Sequence, residues 1–333
     1  MELNKIHTLF LDCSVVSTDT RNIDKNALFF ALKGPNFNGN TYAAQALESG
    51  AKYAVIDEVT QPMNDHFILV DNVLQTLQDL ARFHRDYLGL PIIALTGSNG
   101  KTTTKELINA VLQPRFNTIA TIGNLNNHIG VPLTLLRMTT ETEVGIVEMG
   151  ANHAKEIALL CDIAKPNVGY ITNFGKAHLE GFGSEEGVIV AKSELYDYLK
   201  ANKGLIIINL DDSKQEKQLG EYSTIFSFSE SKQTSININL LESQPFLKVA
   251  LGDTAIKSHL VGVYNFHNIA ASLAIGSYFK VTPQQLKLGV EAYVPTNNRS
   301  QIIQQNSNEI LLDAYNANPS SIEVALENFQ NFK

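Results

Sequence analysis

A lysine and threonine directly after a glycine, between an apolar run and a helical pattern, form a phosphate-binding device. The chain carries one at Gly97-Ser98-Asn99-Gly100-Lys101-Thr102-Thr103. Ile92-Ile-Ala-Leu-Thr96 before it reads as a buried strand, and the residues from Thr103 to Leu112 space their apolar side chains as a helix does. A turn of this kind aims backbone N–H groups and a helix N-terminus at an anion. Lys101 then supplies a point charge for outer phosphates, and the Thr102 hydroxyl a ligand for Mg²⁺. The usual spacing requires glycine at position 95, where this chain has Leu95, with its glycines at 97 and 100 instead. Gly-Lys-Thr also arises in turns that bind nothing, but the flanking strand and helix favour a nucleotide. A dinucleotide is disfavoured, because Gly-x-Gly-x-x-Gly is absent from this loop.

Four further places could complete such a site. Glu148 ends the run Gly145-Ile-Val-Glu-Met, where a carboxylate could hold Mg²⁺ beside phosphates or simply be solvated. His178 lies in the polar stretch Thr172-Asn-Phe-Gly-Lys-Ala-His-Leu-Glu-Gly-Phe-Gly-Ser184, where a lone histidine can equally be exposed and idle. Gly123-Asn-Leu-Asn-Asn-His-Ile-Gly-Val-Pro132 offers Asn124 and Asn126 as candidate substrate contacts, or is only a long loop. Lys192, in Ala191-Lys-Ser-Glu-Leu-Tyr196, reads on its own as a solvated helix lysine.

The elements that must position these residues are legible in outline. Residues 1–88 read as a small mixed α/β domain, with buried strands at Ala27-Leu-Phe-Phe-Ala-Leu32 and Tyr53-Ala-Val-Ile56 and a helix from Thr41 to Gly50. Val73, Leu77, Leu80, Ala81, His84 and Leu88 share a helical face that Gly89-Leu-Pro91 ends. Residues 89–295 alternate strands (Gly145–Met149, Val168–Thr172, Leu205–Ile208) with helices, the pattern of a doubly wound, mostly parallel sheet. A more polar, strand-rich stretch over 222–261 suggests an appended meander, and Phe266 to Phe279 an amphipathic helix. From residue 296 a third, Rossmann-like α/β unit is expected to begin, with strands at Ile302-Ile and Ile310-Leu-Leu and a capping-box start at Ser320-Ser-Ile-Glu323. That unit is expected to be incomplete at Lys333. The fold class is α/β.

Composition narrows the function. The 333 residues are 44% hydrophobic and 18% charged, with a net charge of −8 and a pI of about 5.5. No basic stripe marks a nucleic-acid surface. No apolar run reaches membrane-spanning length, and Met1-Glu-Leu-Asn-Lys-Ile-His7 does not have the form of a signal peptide. Two lone cysteines, Cys13 and Cys161, make neither a disulfide framework nor a zinc set. The expectation is a cytoplasmic protein.

Taken in order, the loop, Glu148, His178 and Lys192 resemble the Mur ligase family, ATP-dependent amide-forming enzymes that build the peptidoglycan stem peptide. The resemblance runs from about residue 15 to the end. It implies that Gly97–Thr103 binds ATP, with Lys101 on its phosphates, and that Lys192-Ser-Glu-Leu carries a carbamylated lysine. Gly262-Val-Tyr-Asn265-Phe-His-Asn268 is similar to the family's adenine-contacting motif; most members have histidine where Tyr264 stands. Arg299 and Asp313 resemble contacts to the γ-phosphate and the ribose. Ser17-Thr18-Asp19-Thr20-Arg21 and Leu28-Phe-Phe-Ala-Leu-Lys33-Gly34 look like the unit that holds a UDP-sugar. Two stretches, Ala177–Ser184 and Asp313–Ser321, point to the last ligase of the series, which joins D-alanyl-D-alanine to UDP-MurNAc-tripeptide. The implied cofactors are ATP and two Mg²⁺ ions, one held by Thr102 and Glu148, the other near His178 and carbamylated Lys192. The implied state is a monomer.

In this family the third domain closes over ATP. A chain ending at Lys333 is therefore expected to bind the UDP-substrate but to turn over poorly, which makes a binding-only fragment the competing reading. A folylpolyglutamate-type ligase is a third reading; it shares the loop and the lysine but not the N-terminal Ser-Thr-Asp-Thr-Arg unit.

Overall fold

The computed structural model describes residues 2–60, 62–175, 179–296, 298–313 and 319–330. The chain opens with α1 (Leu3–Leu11), then β1 (Val16–Ser17) and β2 (Leu28–Phe30). A small antiparallel hairpin follows, β3 (Lys33–Gly34) with β4 (Phe37–Asn38), and then α2 (Ala43–Glu48), β5 (Tyr53–Ile56) and β6 (Phe67–Leu69). Strands β1-β2-β5-β6 form one parallel sheet. Side chains alternate across it as the pleat requires. Leu28 and Phe30 lie in the core cluster that holds residues of α1 and of the later helix Val73–Leu88, while Phe29 and Ala31 pack with Ala43 and Ala46 of α2.

The next helix, α3 (Val73–Leu88), begins at Asn72, whose Oδ1 accepts the Gln75 N–H at 2.8 Å. It ends at Gly89 in the left-handed region, φ 64°. Its predicted apolar face is buried except for half-buried Leu88, and its polar residues reach across to the central unit. Gln78 Nε2 donates to the His128 carbonyl at 3.0 Å, and Arg85 donates to the carbonyls of Ala164 and Lys165, both at 3.1 Å, and to Asn167 Oδ1 at 2.9 Å. His84 links the Met138 carbonyl at 2.8 Å to His7 of α1 at 3.1 Å.

The central unit runs β7 (Ile92–Thr96), α4 (Lys101–Leu112), β8 (Thr118–Ala120), α5 (Gly130–Leu135), β9 (Val144–Glu148), α6 (Glu156–Ala164) and β10 (Val168–Ile171). It continues through α7 (Leu179–Phe182), α8 (Glu185–Ala201), β11 (Leu205–Asn209), α9 (Ser213–Leu219), β12 (Ile225–Ser229), β13 (Ile236–Glu242), β14 (Lys248–Leu251) and β15 (Thr254–Lys257). Its nine strands lie in the order β15-β14-β13-β12-β11-β10-β7-β9-β8. The sheet is parallel from β13 to β8, while β13, β14 and β15 pair antiparallel. The expected meander is therefore these last three strands, and β12 extends the parallel sheet.

Both faces of the sheet are covered. Ile92 and Ala94 of β7 pack with residues of α3, α5, α6 and α8; Ile93 and Leu95 pack on the other side with Leu107 and Ile108 of α4 and Leu273 of α10 (Phe266–Tyr278). Helix α10 is buried continuously from Asn268 to Gly276 rather than along one stripe, because it is enclosed by the sheet, α4 and α11 (Pro283–Ala292). Beyond it come the antiparallel hairpin β16 (Gln301–Gln305) and β17 (Asn308–Leu312), and α12 (Pro319–Gln330). Among the described residues no helix is long and apolar enough to cross a membrane.

Strand β7 sits between β10 and β9, and the chain leaves β7 toward one edge of the sheet and β10 toward the other. The carboxyl ends of β7 and β10 therefore open a crevice at the topological switch point, where ligands of such sheets bind.

Candidate functional site

A pocket of about 750 Å³ lies at that crevice, lined by Ser98 to Thr103, Asn124, Asn126, Glu148, Asn173, Gly175, Tyr264, Asn265, Asn268, Arg299 and Asp313 among others. The phosphate loop at its floor is held from the neighbouring strand end. The Ser98 N–H donates to the Asn173 carbonyl at 3.1 Å, and the Asn99 N–H to Asn173 Oδ1 at 3.0 Å. Thr172 Oγ1 donates to the Asn99 carbonyl at 2.6 Å, and Ser98 Oγ to the Gly175 carbonyl at 2.9 Å. Leu95, where the usual loop has glycine, is a fully buried strand residue paired with Tyr170. The tight backbone positions are instead Gly97 (φ 144°) and Gly100 (φ 79°). A Cβ on Gly97 would stand 2.0 Å from Thr172 Oγ1, and one on Gly100 2.5 Å from Asn268 Oδ1. Lys101 Nζ folds back onto the loop carbonyls of Gly97 (2.7 Å) and Ser98 (3.2 Å). Desolvation lowers its pKa from the ordinary lysine value, with Glu148 opposing and Arg299 adding to the shift.

Glu148, at the end of β9, is only 1% exposed. Its N–H donates to Thr121 Oγ1 at 3.0 Å and its Oε1 accepts Asn126 Nδ2 at 2.8 Å. Oε2 has no hydrogen-bond partner among the described residues. A buried carboxylate oxygen left bare is costly unless something else meets it. A hard divalent cation would satisfy it, with the Thr102 hydroxyl lining the same pocket as a second oxygen donor.

Lys192 lies on α8, 1% exposed, its Nζ 3.3 Å from the Ala151 carbonyl and 5.4 Å from the centre of the Phe182 ring. It does not line the pocket; Ala151, which it touches, does. Burial first, then repulsion from Lys101, brings its pKa down to about 7, against the pull of Glu156 and Glu194.

On the far wall, Asn265 Nδ2 donates to the Val261 carbonyl at 2.8 Å and to Ser300 Oγ at 2.9 Å. Asn268 Nδ2 donates to Asn265 Oδ1 at 2.8 Å, and Thr104 Oγ1 donates to Asn268 Oδ1 at 3.0 Å. The Tyr264 hydroxyl lies 2.9 Å from Ser300 Oγ and donates to Asp313 Oδ2 at 3.0 Å.

Comparison with known proteins decides what carries this geometry. Residues 95–276 match the Mur ligase middle domain, and residues 12–85 the Mur ligase family catalytic domain. The chain belongs to the Mur ligase family. It is 36% identical over 315 residues to the UDP-N-acetylmuramoyl-tripeptide–D-alanyl-D-alanine ligase of Bacillus subtilis, covering 94% of this chain and 69% of that one. The Escherichia coli enzyme of the same name is 34% identical over 323 residues, covering 94% and 71%. Among solved structures, MurF from Acinetobacter baumannii superposes with a TM-score of 0.83 at 30% identity, covering 96% of this chain and 71% of that one. MurF ligase from Thermotoga maritima in complex with ADP gives a TM-score of 0.82 at 26% identity, covering 98% and 76%.

In this Mur ligase the other expected site residues divide into three groups. Asn124 and Asn126 line the pocket, and Asn126 gives its amide to Glu148. Ser17, Thr18, Asp19, Thr20, Arg21, Lys33 and Gly34 belong to the first unit, and none of them lines the pocket. There Arg21 pairs with Asp19 at 2.6 Å and holds its carboxyl down to about 2, while Lys33 pairs with Asp57 at 2.9 Å and Glu58 at 2.7 Å. His178 lies outside the described residues. Among the described residues no group of three or more His, Cys, Asp or Glu side chains is gathered as a metal set.

Several contributors to the site stand outside the recognisable motifs. Asn173 clamps the loop, and its position directly after a strand at the switch point was the available signal. Glu194, two residues after Lys192, caps α6 by accepting the N–H groups of Lys155 at 2.6 Å and Ala158 at 2.9 Å. Ser300 carries no motif and is visible only in three dimensions.

Proposed function

We propose that this Mur ligase is the D-alanyl-D-alanine-adding enzyme, joining that dipeptide to UDP-MurNAc-tripeptide at the expense of ATP. The observation that carries the reading is the bare Glu148 Oε2 beside a phosphate loop at the switch-point crevice, in a chain whose relatives bear that activity in their names. The tripeptide's terminal carboxylate attacks the γ-phosphorus of ATP, giving an acyl phosphate and ADP. The amine of the dipeptide then attacks the acyl carbon and phosphate leaves.

Two anions meet in the first step, so the site must supply positive charge. Lys101 does so by exchanging its loop carbonyls for phosphate oxygens. Loop N–H groups and the α4 N-terminus hold the phosphates in place. Glu148 and Thr102 fit a divalent cation, which when bound draws charge off the phosphate oxygens. A second ion is assigned to His178 and a carbamylated Lys192. The Lys192 amine suits carbamylation because its lowered pKa leaves much of it uncharged near neutrality, the form that adds to CO₂ and releases a proton. In the same reading residues 1–88 hold the UDP-sugar, 89–295 bind ATP, and Arg299 and Asp313 of the third unit face the γ-phosphate and ribose. The protein acts as a monomer in the cytoplasm.

A coupled phosphate-release assay tests this. Phosphate should appear only when UDP-MurNAc-tripeptide and D-alanyl-D-alanine are both present, and not with folate and glutamate. Release with folate and glutamate, or with a Mur acceptor of different peptide length, would overturn the assignment.

A further inference from the structure

The hydrogen bonds on the far wall of the pocket form a single directed chain. Asn265 is 1% exposed, and both N–H bonds of its amide are committed, one to Val261 and one to Ser300. An asparagine amide has two donors, so none is left for a ligand. The Tyr264 proton is committed to the Asp313 carboxylate, which only accepts when ionised, so Ser300 must donate to Tyr264. Every link then points the same way: Thr104 to Asn268, Asn268 to Asn265, Asn265 to Ser300, Ser300 to Tyr264, Tyr264 to Asp313. Donors aligned head to tail polarise one another.

The chain ends in a strained segment. Asn298 and Ser300 both adopt left-handed backbone, φ 57° and 49°, without being glycine, and Ser300 is 4% exposed. Such conformations persist only where the surroundings enforce them. The bonds with Tyr264 and Asn265 hold the Ser300 side chain, while the Ser300 N–H bonds the Asp313 carboxylate and the Asn298 N–H donates to Gln301 Oε1 at 3.0 Å. Arg299 stands between the two strained residues and lines the pocket, as Asp313 does.

We propose that Tyr264, Asn265 and Ser300 are positioning residues, a relay that starts at the helix behind the phosphate loop and sets where Arg299 and Asp313 stand over the nucleotide. Asn265 contributes by holding Ser300, not by donating to the ligand. The inference rests on the nucleotide reading above and adds to it the link between the loop and residues 298–313.

Variants of the full chain test it: the single variants Tyr264→Phe and Ser300→Gly, and Asp313→Asn as a reference with and without Tyr264→Phe. Tyr264→Phe keeps the ring and removes the hydroxyl, and Ser300→Gly removes the hydroxyl while accepting the left-handed backbone. Binding of MgADP and of inorganic pyrophosphate is titrated, and amide exchange is followed over residues 298–313. Each single variant should bind MgADP about fivefold more weakly, the loss of one to two hydrogen bonds, and exchange faster over 298–313. Pyrophosphate, which needs only the loop, should bind within about twofold of the parent. The double variant should lose no more MgADP affinity than Asp313→Asn alone, since the tyrosine acts through Asp313. Unchanged exchange and MgADP affinity in both single variants, or losses that multiply in the double variant, overturn the relay. If the parent binds neither pyrophosphate nor MgADP, the nucleotide reading fails instead, and the exchange measurement alone decides whether the relay holds the segment.

Discussion

Lys192 is a lysine that its surroundings have stripped of ordinary lysine behaviour. A 1% exposed side chain with its amine facing one carbonyl and an aromatic ring is a poor place for an ammonium, and its pKa near 7 expresses that. Carbamylation would reverse its charge and let it bind a metal rather than repel one. Accordingly, Lys192→Ala should lower ligase activity by about 100-fold or more, and short carboxylic acids such as acetate or formate should restore part of it. Undiminished phosphate release in that variant would remove Lys192 from the site. Nothing in the local sequence announces this residue, because a lysine on a helix reads as solvated. Burial by Phe182 and Ala151 depends on packing between α7, α8 and the end of β9 that no local pattern encodes. Glu148 was easier to read, being the last residue of an apolar run in a sheet whose strand ends carry the chemistry. Its unpartnered oxygen was not readable at all.

At the scale of elements, the phosphate loop is shaped by its neighbour as much as by its own residues. Thr172, Asn173 and Gly175 grip it, and Gly97 exists to let Thr172 approach. Gly97→Ala should therefore cost stability, about 2 kcal/mol for a strained non-glycine backbone, and should displace the loop from the β10 end. Chemical denaturation and an MgADP titration would check both; a variant as stable and as tight as the parent would show that the loop can shift without loss. The alternation of strands and helices made the central sheet legible, since β7, β9, β10 and β11 are continuous apolar runs flanked by turns. Two elements were harder. Helix α1 is short, with only Ile6, His7 and Phe10 buried, too few positions to show a period. Helix α10 carries too many buried residues to show a stripe, because it is covered on every side.

Across the whole molecule, α3 ties the first unit to the second. Its His84 sits between His7 and the Met138 carbonyl, and burial lowers the pKa of both histidines, with mutual repulsion adding to the effect on His7. Both are therefore held neutral in the fold, while in the unfolded chain they take up protons near pH 6.5. The sign follows: this contribution is fully present above that value and is lost as the pH falls through and below it. The melting temperature should drop between pH 7.5 and 5.5, and His84→Gln should flatten that dependence while lowering the plateau. An unaltered slope in the variant would place the acid sensitivity elsewhere.

The same helix has a consequence for what the enzyme can accept. Gln78, His84 and Arg85 anchor it to His128, Met138, Ala164, Lys165 and Asn167, so the first sheet and the phosphate loop are mounted on one frame. Under the proposed reading, an acceptor gripped at its nucleotide end by the first unit must present its far carboxylate at the loop. With the two grips joined through this helix, the distance between them acts as a gauge of the acceptor's length. A peptide one residue too short would stop before the γ-phosphate.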